Sequence, residues 1–317
     1  MSIKWKLILS GLVIFVVIIS NLNFYLWRAP ASFPVGSLYT LEKGKGVNQL
    51  TSDLIDKEIV KSAFWFKVFS VLFGGPKGIM AGDYVLFEKQ NLVTLAYRFS
   101  RGDYKLISLK ITFPEGLNTF EVAKLISQKF PKIDEKNFIE LAKTNEGYLF
   151  PDTYLFLPNI SAEEIIAVMR ENFNKRIEVL LVEINKFNEP VADVIKMASI
   201  VEEEARTFET REIVAGILWQ RLNLRMPLQV DSSFKYINGK TTATLTTEDL
   251  KIDSPYNSYL YRGLPPTPIS NPGLESIKAT VNPIKTDYLY FLSDKEGNMH
   301  YAKTYAGHLQ NKELYLK

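Results

Sequence analysis

Three consecutive glutamates, Glu202-Glu203-Glu204, close an apolar run that begins at Val194. A carboxyl group can protonate a leaving oxygen, and later take a proton from an attacking hydroxyl, when its surroundings lift its pKa toward neutrality. At about 100° per residue, Val194, Met197, Ala198, Val201 and Ala205 form one apolar stripe of a helix. Glu203 then lies opposite the stripe, in solvent, while Glu202 and Glu204 flank it on two different sides where partial desolvation is available. They point apart and so do not share one job, and the helical wheel does not choose between them. The plain alternative is that acidic residues on a helix surface are solvated or ion-paired, here with Arg206 or Arg211.

Other catalytic templates are missing. The chain has no Gly-x-Ser-x-Gly elbow, Walker loop, Gly-x-Gly-x-x-Gly turn or His-Glu-x-x-His pair. Serine–histidine chemistry has only His300 and His308 to use, without a recognisable elbow or third member. Zero cysteines exclude disulfides, thiolate zinc sites and iron–sulfur clusters, so the expectation is chemistry with no cofactor and no metal. With Lys+Arg at 38, Asp+Glu at 35 and a formal net charge of +3, the basic excess that nucleic-acid binding needs is absent.

The elements that must position such a site begin at the N-terminus. Leu7 to Trp27 carries no charge and is rich in Leu, Ile, Val and Phe, long enough to cross a hydrocarbon core of about 30 Å. Lys4 and Lys6 precede it, which places the N-terminus in the cytoplasm and the rest outside. A cleaved signal peptide is the competing reading, with Ala29-Pro30-Ala31 as its site, but the central proline opposes cleavage. Residues 29–37 read as a linker.

Leu38 to Leu41 alternates like a strand, Asn48 is placed to cap a helix, a second apolar helix runs to the Gly74-Gly75-Pro76 break, and Ala81 to Leu86 returns as a strand. Gly46-Val47-Asn48 matches Gly116-Leu117-Asn118, which suggests two related units or, more simply, a recurrent way to start a helix. Long helical patterns follow over Ala162 to about Asn185, Val191 to about Phe208 and Thr210 to about Leu224. From Pro227 onward the texture suggests short strands and Pro-rich loops. With 317 residues, 46% of them hydrophobic and 23% charged, this order predicts an α+β protein of about two domains.

The carboxylate helix and its flanking blocks resemble the YceG-like family, membrane-anchored endolytic murein transglycosylases, over nearly the whole chain. The blocks are Glu146-Gly147-Tyr148-Leu149-Phe150-Pro151-Asp152-Thr153-Tyr154, Met197 to Glu204, Leu228-Gln229-Val230-Asp231-Ser232, Ser254-Pro255-Tyr256-Asn257-Ser258-Tyr259 and Gly263 to Gly273, in the family's order. Thr267 departs from it, standing where many relatives have glycine. The resemblance implies an anchor over residues 1–28, a linker over 29–37, a LysM-like module over 38–106 and a mixed α+β catalytic domain over 107–317.

It also implies that Glu204 is the catalytic acid and then base, with Glu202 in a supporting role. The implied substrate is a peptidoglycan glycan strand, cut at the β-1,4 bond between N-acetylmuramic acid and N-acetylglucosamine to leave a 1,6-anhydro end. The implied setting is the outer face of the cell membrane, beside peptidoglycan synthases. Sugar binding needs planar apolar faces beside hydrogen-bonding groups, which Gln229, Asp231, Tyr256, Asn257 and Tyr259 supply. The same loop can be a rigid element packed on a core, with Asp231 capping a helix. Two further functions fit the residues: a noncatalytic peptidoglycan-binding scaffold, and a muramidase that pairs Glu204 with Asp231 or Asp152 to hydrolyse the bond.

Overall fold

The computed structural model describes residues 3–75, 78–106, 108–241 and 243–316. Pro76 and Lys77, part of the expected break, and Ile107, at the expected domain boundary, lie outside the described residues. The chain is a mixed α+β protein that divides into two compact units, 1–109 with 157–159, and 110–156 with 160–317.

In the first unit, α1 (Ile3–Leu26) is followed by β1 (Ser37–Leu41), α2 (Val47–Asp56), α3 (Ala63–Gly74), β2 (Gly82–Leu86) and α4 (Leu92–Arg101). β1 and β2 pair antiparallel, Leu38 opposite Val85 and Thr40 opposite Asp83. Their inward residues Tyr39, Leu41, Tyr84 and Leu86 join Leu50, Leu54, Phe66, Leu95 and Phe99 in one core, to which Leu26 at the end of α1 also belongs. α1 covers most of the expected membrane segment, and several of its residues lie outside those whose side chains are described. Among the described residues no helix is long and apolar enough to cross a membrane.

Asn48 does not cap α2. The N-cap is Gly46, whose amide donates to the Gln49 side chain, and Asn48 is already helical. Asn118 does cap its helix, in a reciprocal box with Glu121. The two Gly-x-Asn segments are thus out of structural step: the matching tripeptides open their helices one from the glycine and the other from the asparagine.

The second unit runs β3 (Leu109–Thr112), α5 (Thr119–Lys129), α6 (Glu135–Ala142), β4 (Thr153–Phe156), α7 (Ala162–Ile177), α8 (Leu181–Phe187), α9 (Val191–Glu204), α10 (Phe208–Asn223), α11 (Ser232–Asn238), α12 (Leu274–Val281), β5 (Tyr290–Ser293), β6 (Met299–Ala302) and α13 (Tyr305–Tyr315). β3 pairs with β4, and β5 and β6 form an antiparallel hairpin. The helix expected over 162–185 is two, separated by a 3-10 turn over Glu178–Leu180. Among the described residues, the region after Pro227 holds three α-helices and one hairpin, not a succession of strands. Its frequent Pro and Tyr conceal helical spacing as clear as Leu274, Ile277 and Val281.

α9 sits at the centre of this unit. Val194, Ile195 and Ala198 enter one core with Phe150, Phe173 and Ile277, while Met197, Ile200 and Val201 enter another with Val214, Leu218, Leu228 and Ile269. All five residues of the expected stripe are buried, and so are Ile195, Ser199 and Ile200 on other sides of the helix. A helix buried almost all round can present polar groups only near its ends.

Candidate active site

The three glutamates emerge because α9 stops there. Ala205 is extended, at φ −141° and ψ 140°, and Thr207 caps α10, its hydroxyl accepting from the Thr210 amide. The expected continuation to Phe208 fails because a threonine that serves as an N-cap cannot also continue the preceding helix. Three carboxyls in the last turn, with no basic residue of α9 beside them, oppose the helix dipole and need partners from elsewhere.

Glu202 finds a cation. One oxygen lies 2.7 Å from the buried Arg211 guanidinium on α10, and the other accepts from the Gly273 amide at the start of α12, at 2.8 Å. Arg211 also donates to the Ala205 carbonyl and meets Glu275 at 3.3 Å. A β-carbon on Gly273 would meet the Glu115 carboxyl, the flexible end of a side chain that must shift to admit it. Burial, followed by the neighbouring Glu202 charge, raises the Glu115 pKa.

Glu204 finds none. Its carboxyl accepts from the Ser232 amide at 3.3 Å, at the first residue of α11. Burial pushes its pKa up to about 7, opposed by Ser232 and reinforced by the Asp231 charge. Glu202 and Glu204 do point to different sides, as the wheel requires.

Glu203, expected in solvent, is not there. Its side chain is only 17% exposed and meets Lys235 of α11 at 3.2 Å. The wheel assumed water on the side opposite the stripe, but α11 and the turn at Gly116 occupy it. Burial raises the Glu203 pKa even with Lys235 alongside. Burial opposes the charge on Lys235, yet Glu203 and Glu121 hold its pKa above the ordinary value.

The five residues expected at a sugar site lie in the segment before α11 and in the 254–259 loop tied to it, and they differ in what they offer. Asp231 occupies the N-cap position of α11 without a capping bond from its side chain, which instead accepts from the Tyr259 hydroxyl at 2.6 Å. Gln229 is exposed, with a positive φ of 51°, and its amide donates to the Ser258 carbonyl. Asn257 is fully buried: its amide group donates to the Leu250 and Ile252 carbonyls and accepts from the Tyr259 amide. It organises the loop from within and is not on a surface. Tyr256 is half-buried, shares a hydrogen bond with Thr267 at 2.9 Å and lies with its ring 4.8 Å from that of Tyr236. Thr267 is not left-handed, so it fills the glycine position without strain.

The Pro-rich block is tied to α9 by Ser199, whose hydroxyl accepts from the Ile269 amide while its carbonyl accepts from Ser270. Asn271 stitches three segments together: its amide donates to the Leu117 carbonyl, and its side chain accepts from Leu149 and donates to Leu117.

Three groups with a bearing on the site carried no sequence signal of their own. Lys235 and Glu115 lie outside the expected catalytic set. Glu146 opens a block that the resemblance marks, but nothing local shows that it is 3% exposed and accepts from the Thr119 amide at 3.1 and 3.2 Å. Burial pushes its pKa up to about 7, against hydrogen bonds from Thr119, Gly147 and Tyr236. His300 bonds Asp294 and stacks on Tyr315, and His308 stacks on Tyr290. A hollow of about 380 Å³ lined by Phe187, Trp219 and Ile284 contains none of the carboxylates of the site.

The model of the YceG-like family matches residues 39–314. The endolytic murein transglycosylase of Bacillus subtilis (strain 168) is 34% identical over 303 residues, 87% of this chain and 84% of that protein. A protein of the same name from Streptococcus pneumoniae (strain ATCC BAA-255 / R6) is 27% identical over 86% of this chain and 57% of its own length. The crystal structure of a yceG-like protein from Listeria monocytogenes has a TM-score of 0.60 at 30% identity, covering 86% of this chain and 98% of that one.

Proposed function

This chain belongs to the YceG-like family, and we propose that it is an endolytic peptidoglycan lytic transglycosylase in which Glu204 is first acid and then base. The reading rests above all on one observation: Glu204 is the carboxyl of the triplet that has no cation beside it among the described residues, and burial brings its pKa to about 7. Near neutral pH such a group holds a proton in a useful fraction of molecules and is basic enough to take one back.

Glu204 donates its proton to the glycosidic oxygen as the bond from the muramic C1 breaks and positive charge develops on that carbon. The sugar's own 6-hydroxyl oxygen then attacks C1, and its proton passes to the Glu204 carboxylate. No water is consumed, the 1,6-anhydro ring closes and the acid is regenerated. The Ser232 amide steadies the carboxylate between the two transfers. Glu202, locked by Arg211 and the Gly273 amide, holds the end of α9 in place. Gln229, Asp231, Tyr256 and Tyr259 meet the sugar, with Asn257 shaping their loop from inside.

The first unit, strand-helix-helix-strand with β1 and β2 antiparallel, supports reading residues 38–106 as a LysM-like glycan-binding module before a catalytic domain over 107–317. Exposed Leu12, Val13, Ile14, Phe15, Val16 and Val17 on α1 support an anchor over residues 1–28, followed by a linker over 29–37. Anchoring on the outer face of the membrane raises the enzyme's effective concentration at nascent strands beside their synthases, where its cuts limit strand length.

The test is mass spectrometry of uncrosslinked glycan strands incubated with the protein and with Glu204→Gln. Products lighter by one water than hydrolysis gives, formed only by the unmutated protein, are expected. Hydrated products point to the muramidase, and strand binding without cleavage by either protein points to the scaffold.

A further inference from the structure

α11 carries two kinds of group along one side. Its first residue, Ser232, faces Glu204, and Tyr236, one turn later, lies between two other aromatic rings. On one side is Tyr256, with ring centroids 4.8 Å apart, and on the other is Phe120 from the first turn of α5, at 5.9 Å. The rings are tilted by 45° and 56° and do not stack face to face. Tyr236 and Tyr256 rest on the core beneath, while Phe120 is 47% exposed.

A single exposed phenylalanine needs no explanation. This one is held in register with α11 by its neighbour, because Glu121 meets Lys235 at 3.3 Å while Phe120 meets Tyr236. Below the rings, the Tyr236 hydroxyl reaches Glu146, and the Tyr256 hydroxyl bonds Thr267. The hydroxyl ends are therefore fixed and the ring positions set before any ligand arrives, which lowers the ordering cost of binding.

We propose that Phe120, Tyr236 and Tyr256 form a stacking track on which successive pyranose rings of a glycan strand lie as it leaves Glu204 along α11. This assignment rests on the transglycosylase reading and extends it from the cleavage point to a run of sugars. Aromatic faces suit the C–H faces of amino sugars, and a row of them beside a carboxyl acid orients a polymer without reading any one residue of it. Continuity with Glu204 through the first turn of α11 favours a strand over a protein partner. Phe120 is the outermost ring and sets how far the grip extends from the cut.

The experiment measures binding of uncrosslinked glycan strands to the full chain carrying Glu204→Gln, which retains the strand, and to the same chain with Phe120→Ala or Phe120→Tyr added. Phe120→Ala is expected to weaken binding about five- to tenfold, the loss of one aromatic contact, and Phe120→Tyr to restore it. In the chain with Glu204 intact, Phe120→Ala is expected to raise KM for long strands with kcat nearly unchanged. Because Phe120 is half in solvent, unfolding is not the expected result, and the circular dichroism melt checks this. Unchanged affinity in Phe120→Ala, with cleavage of strands by the unmutated chain, overturns the track alone. No strand binding by Glu204→Gln and no cleavage by the unmutated chain overturn both the track and the function it rests on.

Discussion

Glu202 and Glu204 are the same residue type at the end of the same helix, two positions apart, and the protein treats them oppositely. Toward α10 and α12 the carboxyl meets a buried guanidinium and a backbone amide, so its charge is matched. Toward α11 the other carboxyl is buried, meets one amide and faces the Asp231 charge, with no cation beside it among the described residues, so its charge is penalised and its pKa rises to about 7. The difference lies in what each oxygen finds within hydrogen-bonding distance, since the chemistry of the side chains is identical. A matched carboxylate serves as a fixed support, whereas an unmatched one serves as a proton carrier.

The most direct way to break this contrast is Glu204→Gln, which keeps the shape and removes the proton. Glycan cleavage is expected to fall about 10²–10⁴-fold with the thermal midpoint little changed, measured by product mass spectrometry beside a calorimetric scan. On the other side, Arg211→Met leaves Glu202 buried without its cation. A loss of about 3–5 kcal/mol is expected in urea unfolding, and adding Glu202→Gln is expected to recover much of it. If the single and double variants are equally unstable, Arg211 matters for its packing and not for the pair.

The pH dependence sharpens the comparison. Glu204 and Glu146 both have folded-state values near 7 against an ordinary 4.5. Between about 4.5 and 7 the folded protein therefore holds more protons than the unfolded chain, so the contribution of these groups to stability is full below 4.5 and declines as pH rises through 7. Glu146→Gln is expected to flatten that decline in thermal midpoints taken across the range, while kcat/KM still falls above about pH 7, where Glu204 loses the proton it must donate. The smallest effect is expected from Gly273→Ala, whose new methyl displaces the flexible end of Glu115 at a cost of about 1–2 kcal/mol, with a slight loss of activity as the Gly273 amide shifts from Glu202.

Some of this architecture was open to inspection in the chain. The five positions of the expected stripe are all buried, with Ala205 just past the end of α9, and Asn118 caps its helix where the matching Asn48 does not. Both are local properties, governed by helical period and by what one side chain can reach. The errors have a common physical origin. A helical wheel puts Glu203 in solvent because it knows only its own helix, and Lys235 lies 32 residues away. The helical pattern runs past Ala205 because Thr207 reads equally as helix interior or cap. By type Asn257 belongs among sugar-binding residues, and only the folded loop shows its amide consumed by the carbonyls of Leu250 and Ile252.

The sequence by itself determined that a helix rich in Val, Ile and Ala ends in three glutamates, that the outer two diverge, and which family's blocks surround them. Only the tertiary structure decided which of the two keeps its charge unmatched. Arg211 comes from 9 residues away, the Ser232 amide from 28 and the Gly273 amide from 71. A pKa is set by the charges, dipoles and water within a few ångströms of a carboxyl, and in α9 those neighbours are supplied by α10, α11 and α12.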